Sequence, residues 1–205
     1  MYTHQNKYIT AGTPAHDAGA ALIMIHGRGG TAQNIASLAN ELNLNNVAIY
    51  APQATNNSWY PYSFMAPDAA NQPALDSALT VIDALVNLVL ADGIPKEKIY
   101  FLGFSQGACL TLEYTGRNVA RYGGIIAFTG GLIGETFNRD KYTGDFQETP
   151  VLITTGNPDP HVPLSRVEET AAQFKLLNAN VNLKVYPGRP HTISQQELDL
   201  AKQLF

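Results

Sequence analysis

Cysteine occurs once in the 205 residues, at Cys109. An intrachain disulfide is therefore excluded, and with it the stapled frameworks of small oxidised domains. Positive charge is sparse: thirteen Lys and Arg against seventeen Asp and Glu give a formal charge of −4. No basic run or basic helix face occurs, so the electrostatic footprint of a nucleic-acid binder is missing. No Cys/His/Asp set has the spacing of a metal site, and no G-x-x-x-x-G-K cradles a phosphate. No apolar run approaches the ~20 residues of a membrane helix, and the first twenty residues lack the cationic start and apolar core of a signal peptide. These absences lead us to expect a cytoplasmic protein without metal, nucleic-acid partner or membrane span, acting on a neutral or mildly polar small molecule. The length suits one domain, residues 1–205, large enough to bury a substantial core.

What is present is organised around a turn, Gly103-Phe104-Ser105-Gln106-Gly107. Residues 98–104 (KIYFLGF) read as a buried strand, and residues 106–114 (QGACLTLEY) shift to helical character. In a G-x-S-x-G turn of this kind the glycines leave room for a strained backbone that lifts the serine hydroxyl clear of the sheet. Cys109, on the following helix, is expected to pack as a small apolar side chain.

Elsewhere the chain alternates strands with helices. Residues 7–10 suit a short edge strand. Residues 20–26 (AALIMIH) form an unbroken apolar run, as expected of a strand buried on both faces, and 31–42 suit a modest helix. Strand 47–51 leads into a long loop, 52–73, and then into helix 74–91, where Leu75, Leu79, Ile82, Val86 and Val89 recur at helical spacing. Strand 124–128 is followed by Thr129-Gly130-Gly131-Leu132 and an irregular stretch, 133–149. Strand 151–155, a helix opened by a capping box of Ser165 with Glu168, strand 181–186 and a closing helix capped by Ser194 with Glu197 complete the chain. The alternation predicts an α/β fold, a mostly parallel open sheet with helices on both faces and no large cap domain. Such sheets place their sites beyond the carboxyl ends of the strands, where His26 to Gly30, Ser105, Thr129 to Leu132, Asp159 and His191 all fall.

A serine hydroxyl needs a base to take its proton during attack, and the base needs a carboxylate to fix its tautomer. Ser105, Asp159 and His191 stand in the chain order Ser, Asp, His and are assigned as nucleophile, acid and base. His161 is a rival base, better placed to line a pocket, and Asp145 a rival acid at the wrong end of the sheet. The oxyanion formed on attack needs preorganised donors, assigned to the backbone N–H groups of Arg28 and Gln106. The Arg28 side chain either meets an anionic substrate group or serves the scaffold, and His26 is read as a scaffold residue. The aromatic loop residues Trp59, Tyr60, Tyr62 and Phe64 either wall an acyl or aryl pocket or pack the loop down. Trp59, Tyr60, Phe64, Leu132 and His161 are taken as pocket candidates.

The segments IHGRGG at 25–30, GFSQG at 103–107, TGGL at 129–132, GNPDPHVP at 156–163 and GRPHTI at 188–193, in this order, resemble the phospholipase/carboxylesterase family of α/β hydrolases. That family includes acyl-protein thioesterases and small bacterial carboxylesterases, and the likeness runs from about residue 20 through nearly the whole remaining chain. It implies an α/β-hydrolase fold and a cofactor-free serine esterase acting on small or medium carboxylic esters, with a homodimer allowed. A thioesterase, lysophospholipase or lactone hydrolase would use the same residues, and a non-catalytic sensor would keep the pocket without the chemistry. Two departures weaken a carry-over of long-chain acyl-protein specificity: Arg28 stands where the thioesterases have leucine, and Ser58-Trp59-Tyr60-Pro61 replaces their loop. Dienelactone hydrolases differ in using cysteine where this chain has Ser105.

Overall fold

The unbroken apolar runs become the central strands of one seven-stranded sheet in the computed structural model, which describes residues 2–205. Met1, the first residue of the expected domain span, lies outside them. In chain order the elements are β1 (Tyr8–Gly12), β2 (Ala20–Ile25), α1 (Ala32–Ser37), β3 (Val47–Pro52), α2 (Ala74–Ala91) and β4 (Ile99–Phe104). They continue with α3 (Gln106–Arg117), β5 (Gly124–Phe128), β6 (Pro150–Asn157), α4 (Leu164–Leu176), β7 (Asn180–Pro187) and α5 (Gln195–Ala201). The spatial order is β1-β3-β2-β4-β5-β6-β7, with β1 antiparallel at one edge and the other six parallel. This is the doubly covered, mostly parallel sheet of an α/β hydrolase.

Side-chain alternation divides the core in two. Ala21, Ile23 and Ile25 of β2 pack with α2, α3 and α4, whereas Leu22 and Met24 pack with α1 and α5. Both faces of β2 are thus dry, which is why its sequence does not alternate with polar residues. Against the expectation that no run approaches a membrane span, helix α2 is long and apolar enough, by length and composition alone, to cross a membrane. Here 44 % of it is buried, through a face carrying Leu75, Ala78, Ile82, Leu85 and Val89.

Two local expectations need correction. The helix expected over 31–42 ends at Ser37 and tightens into a 3₁₀ turn over Leu38–Glu41. The capping box of Ser165 with Glu168 does not form: α4 already begins at Leu164 behind Pro163, so Ser165 sits inside the first turn, where its hydroxyl cannot cap. The second box does form. The Glu197 carboxylate accepts from both the N–H and the hydroxyl of Ser194, each at 2.8 Å.

Candidate active site

The turn between β4 and α3 is strained at one residue, Ser105, with φ 54° and ψ −117°, a combination that side chains rarely adopt. Tight packing enforces it. A Cβ on Gly103 would lie 2.3 Å from the Gly107 carbonyl oxygen, and one on Gly107 would lie 2.1 Å from that of Ile25. With no Cβ at either position, α3 closes onto β2 and β4 and holds the serine above the carboxyl end of the sheet.

The loops after β6 and β7 deliver the other two residues. His191 Nε2 is 2.8 Å from Ser105 Oγ, and His191 Nδ1 is 2.8 Å from Asp159 Oδ2. The Asp159 side chain is fully buried. Burial pushes its carboxyl up, but hydrogen bonds from His191 and from the N–H groups of His161 and Val162 outweigh this and leave it below the ordinary carboxylate range. An ionised Asp159 directs the imidazole proton to Nδ1, so Nε2 is left to accept from the serine hydroxyl. His161 does not reach Ser105; its ring stands edge-on to His191 at 5.0 Å. Asp145 is exposed and bonded to the Gln147 amide and to Asn178, away from this cluster.

The backbone N–H groups of Arg28 and Gln106 have no acceptor among the described residues. The Gln106 side chain ties the Ser105 turn to the aromatic loop: Oε1 accepts from the Trp59 N–H at 2.9 Å, and Nε2 donates to the Tyr60 carbonyl at 2.8 Å. From the other side the Arg28 guanidinium donates to Ser58 Oγ at 3.0 Å and to the carbonyls of Pro61 and Tyr62 at 2.8 and 2.6 Å. These bonds tie the Arg28 side chain to the aromatic loop. His26 is scaffold: its Nδ1 bonds the Gly27 carbonyl and its Nε2 accepts from the Ala54 N–H. Burial lowers its pKa and keeps it neutral.

A cavity of about 440 Å³ opens beside Ser105, walled by Tyr60, Tyr62, Phe64, His161 and Val162 and floored by Cys109. Cys109 is buried as expected, and burial pushes its thiol up to about 12. Two pocket candidates do not line the cavity. Trp59 is wholly buried, with its indole N–H spent on the His26 carbonyl at 2.9 Å. Leu132 lies in the core behind the wall, its own N–H donated to Thr170 Oγ1 at 3.0 Å.

One supporting cluster escaped the sequence reading. Buried Arg189 donates through Nη1 to the carbonyls of Pro190 and Thr192, the two residues that flank His191. Its Nη2 donates to Thr129 Oγ1 at 2.7 Å and lies 3.4 Å from Glu197, which also accepts from the Thr154 hydroxyl. An arginine two residues before a histidine in a Gly/Pro loop reads as solvated; only the buried carboxylate on α5, which presents itself in sequence as a cap, marks it as a partner.

The phospholipase/carboxylesterase family profile matches residues 6–204. A probable carboxylesterase of Oryza sativa subsp. japonica is 33 % identical over 147 residues, covering 69 % of this chain and 54 % of its own length. An acyl-protein thioesterase 1 of Gibberella zeae is 35 % identical over 127 residues, covering 58 % and 54 %. The chain spans about half the length of these curated relatives. Among solved structures, a phospholipase/carboxylesterase from Dyadobacter fermentans DSM 18053 is 62 % identical and superposes with a TM-score of 0.98 over 99 % of this chain and 97 % of that one. Esterase PE8, at 24 % identity, shares the fold with a TM-score of 0.80, over 95 % of each chain.

Proposed function

Since the chain belongs to the phospholipase/carboxylesterase family of α/β hydrolases, we propose that it is a serine carboxylesterase that hydrolyses small or medium carboxylic esters through an acyl-Ser105 intermediate. One observation carries this reading: Ser105 Oγ, His191 and Asp159 form an unbroken hydrogen-bonded chain with both links at 2.8 Å. His191 Nε2 takes the hydroxyl proton as Oγ attacks the acyl carbon, then gives it to the departing alkoxide. Asp159 holds the ring and stabilises the imidazolium. The free N–H groups of Arg28 and Gln106 receive the oxyanion, the part of the site on which charge develops. Water then repeats the sequence on the acyl-enzyme.

The apolar and aromatic walls of the cavity, Tyr60, Tyr62, Phe64 and Val162, support an uncharged acyl group, and Arg28 lines it with its guanidinium donating to three neutral oxygens of the aromatic loop.

Replacing Ser105 with Ala is expected to lower turnover of p-nitrophenyl acetate by about 10⁴-fold or more, to abolish labelling by a fluorophosphonate, and to leave the thermal midpoint near its original value. Retained turnover in a folded S105A protein would exclude the mechanism.

A further inference from the structure

The two N–H groups proposed to receive the oxyanion stand on separate turns, that of Arg28 after β2 and that of Gln106 at the start of α3. Backbone contacts limit only how closely these turns approach: a Cβ on Gly27 would meet the Phe104 carbonyl oxygen at 3.2 Å and Ser105 Cβ at 3.4 Å. The direction of the Arg28 N–H is set from the far end of its own peptide, because the Gly27 carbonyl bonds His26 Nδ1 at 2.8 Å and accepts from the Gly30 N–H at 3.0 Å. Neither contact ties that peptide to the one at Gln106.

Residues 58–62 of the aromatic loop make that tie. The Arg28 guanidinium holds Ser58 Oγ and the carbonyls of Pro61 and Tyr62, while the Gln106 amide holds the Trp59 N–H and the Tyr60 carbonyl between them. The two side chains thus grip the same five residues at interleaved points. Ser58 Oγ is where the grips meet: it accepts from Arg28, donates to the Tyr60 carbonyl at 2.9 Å and lies 3.4 Å from Gln106 Nε2. The stretch is anchored at both ends, by the Gly29 N–H on the Asn57 carbonyl at 2.7 Å and by the Tyr62 N–H on Asn71 Oδ1 at 2.9 Å.

Resting on the esterase reading, we infer that the Ser58–Tyr62 stretch is the spacer that holds the two oxyanion donors at their working separation, and that the Arg28 and Ser58 side chains are positioning residues for that pair. A donor acts only when it lies within hydrogen-bond reach of the oxygen on which charge develops, and a shift of about 1 Å can cost a hundredfold in rate. The planar fork of Arg28 reaches three oxygens from one group, which neither a hydrocarbon nor a single ammonium reproduces. Arg28 is exposed, so its removal takes away the bridge without opening the core.

The test uses Arg28→Met, Arg28→Lys and Ser58→Ala beside the unaltered protein. It measures kcat and KM on p-nitrophenyl acetate, the thermal midpoint, and Ki for an alkyl trifluoromethyl ketone. Ser105 Oγ adds to that ketone's carbonyl carbon, its proton passes to His191 Nε2, and the oxygen left negative must sit between the two donors. Arg28→Met and Ser58→Ala are each expected to lower kcat by about tenfold or more with KM within about threefold of the original. Ki should rise by the same factor by which kcat/KM falls, with the thermal midpoint near its original value. Arg28→Lys, which keeps the charge and loses the fork, should fall between Arg28→Met and the unaltered protein. A kcat within about twofold of the original in both Arg28 variants would overturn the inference. So would a loss carried by KM alone, or a trifluoromethyl ketone that binds the variants as tightly as the unaltered protein. Failure of the esterase reading would look different: the unaltered protein would neither hydrolyse p-nitrophenyl acetate nor react with a fluorophosphonate.

Discussion

Arg189 shows how one buried side chain can fix a loop histidine, His191, that it does not touch. A buried guanidinium is tolerated only with its partners in place, and here the partners are Thr129, Glu197 and the two carbonyls on either side of His191. The fork geometry matters as much as the charge. A lysine at this position keeps a cation opposite Glu197, but a single ammonium cannot span Thr129 and both carbonyls. Displacement of a reacting group by about 1 Å can cost a hundredfold in rate. For Arg189→Lys we therefore expect a kcat on p-nitrophenyl acetate lower by about 10- to 100-fold, with KM within about twofold of the original. An unchanged kcat would mean that the loop seats His191 without this clamp, and a loss confined to KM would assign Arg189 to substrate binding instead.

At the scale of elements, the junction of β4 and α3 depends on the backbone of α3 touching that of β2. A methyl group on Gly107 would stand 2.1 Å from the Ile25 carbonyl oxygen and 2.6 Å from that of His26, and neither can move without shifting the strand that leads to the Gly27–Arg28 turn. Gly116, later in the same helix, gives a contrast: a methyl there would meet Tyr142 and Leu132 side chains at 3.1 and 3.4 Å. Gly107→Ala should lower the thermal midpoint by about 10 °C or more, as for a severe overpacking defect, while Gly116→Ala should cost clearly less. Equal midpoints in calorimetry would show that the helix can shift away from β2 freely. The same packing explains which parts of the fold were legible beforehand. Strands β2, β4 and β5 announce themselves because burial on both faces demands unbroken apolar runs, and parallel strands bring Ser105, Asp159 and His191 to one edge. What spacing does not carry is the direction in which a loop side chain turns. Trp59 and Tyr60 look alike in sequence, yet the indole N–H is drawn inward by the His26 carbonyl while the Tyr60 ring faces the cavity. In the same way, Ser165 and Glu168 match a capping pattern that Pro163 pre-empts by starting the helix two residues earlier.

For the molecule as a whole, the N-terminal segment, the aromatic loop and β2 are joined through two neutral imidazoles on either side of one indole. His4 accepts from the Thr55 N–H at Nδ1 (3.0 Å) and bonds the Trp59 carbonyl through Nε2 (2.8 Å), while Tyr2 donates to the Ser58 carbonyl at 2.8 Å. The rings of His4 and His26 lie 5.3 and 5.0 Å from that of Trp59. Burial lowers both histidine pKa values, and in His26 the neighbouring His4 adds to the effect. Each accepting nitrogen faces a backbone N–H, so protonation would set donor against donor. The direction of the pH dependence follows. In the unfolded chain both imidazoles take protons near the ordinary value of about 6.5, whereas in the folded chain they do so only at lower pH. Between those limits the unfolded state binds more protons, and stability falls as the pH is lowered. Above about 6.5 both contributions are complete. Asp159 acts in a separate and more acidic range, because its folded carboxyl is held below the ordinary carboxylate value; its contribution is lost only as the pH falls through that region. Thermal or urea unfolding between pH 7.5 and 5 should therefore show stability decreasing towards acid. A His4→Gln variant, whose amide can still accept and donate at this position, should show a shallower decrease. A flat profile across this range would mean that the two rings protonate as readily folded as unfolded, and that the bonds to Thr55 and Ala54 do not hold them neutral.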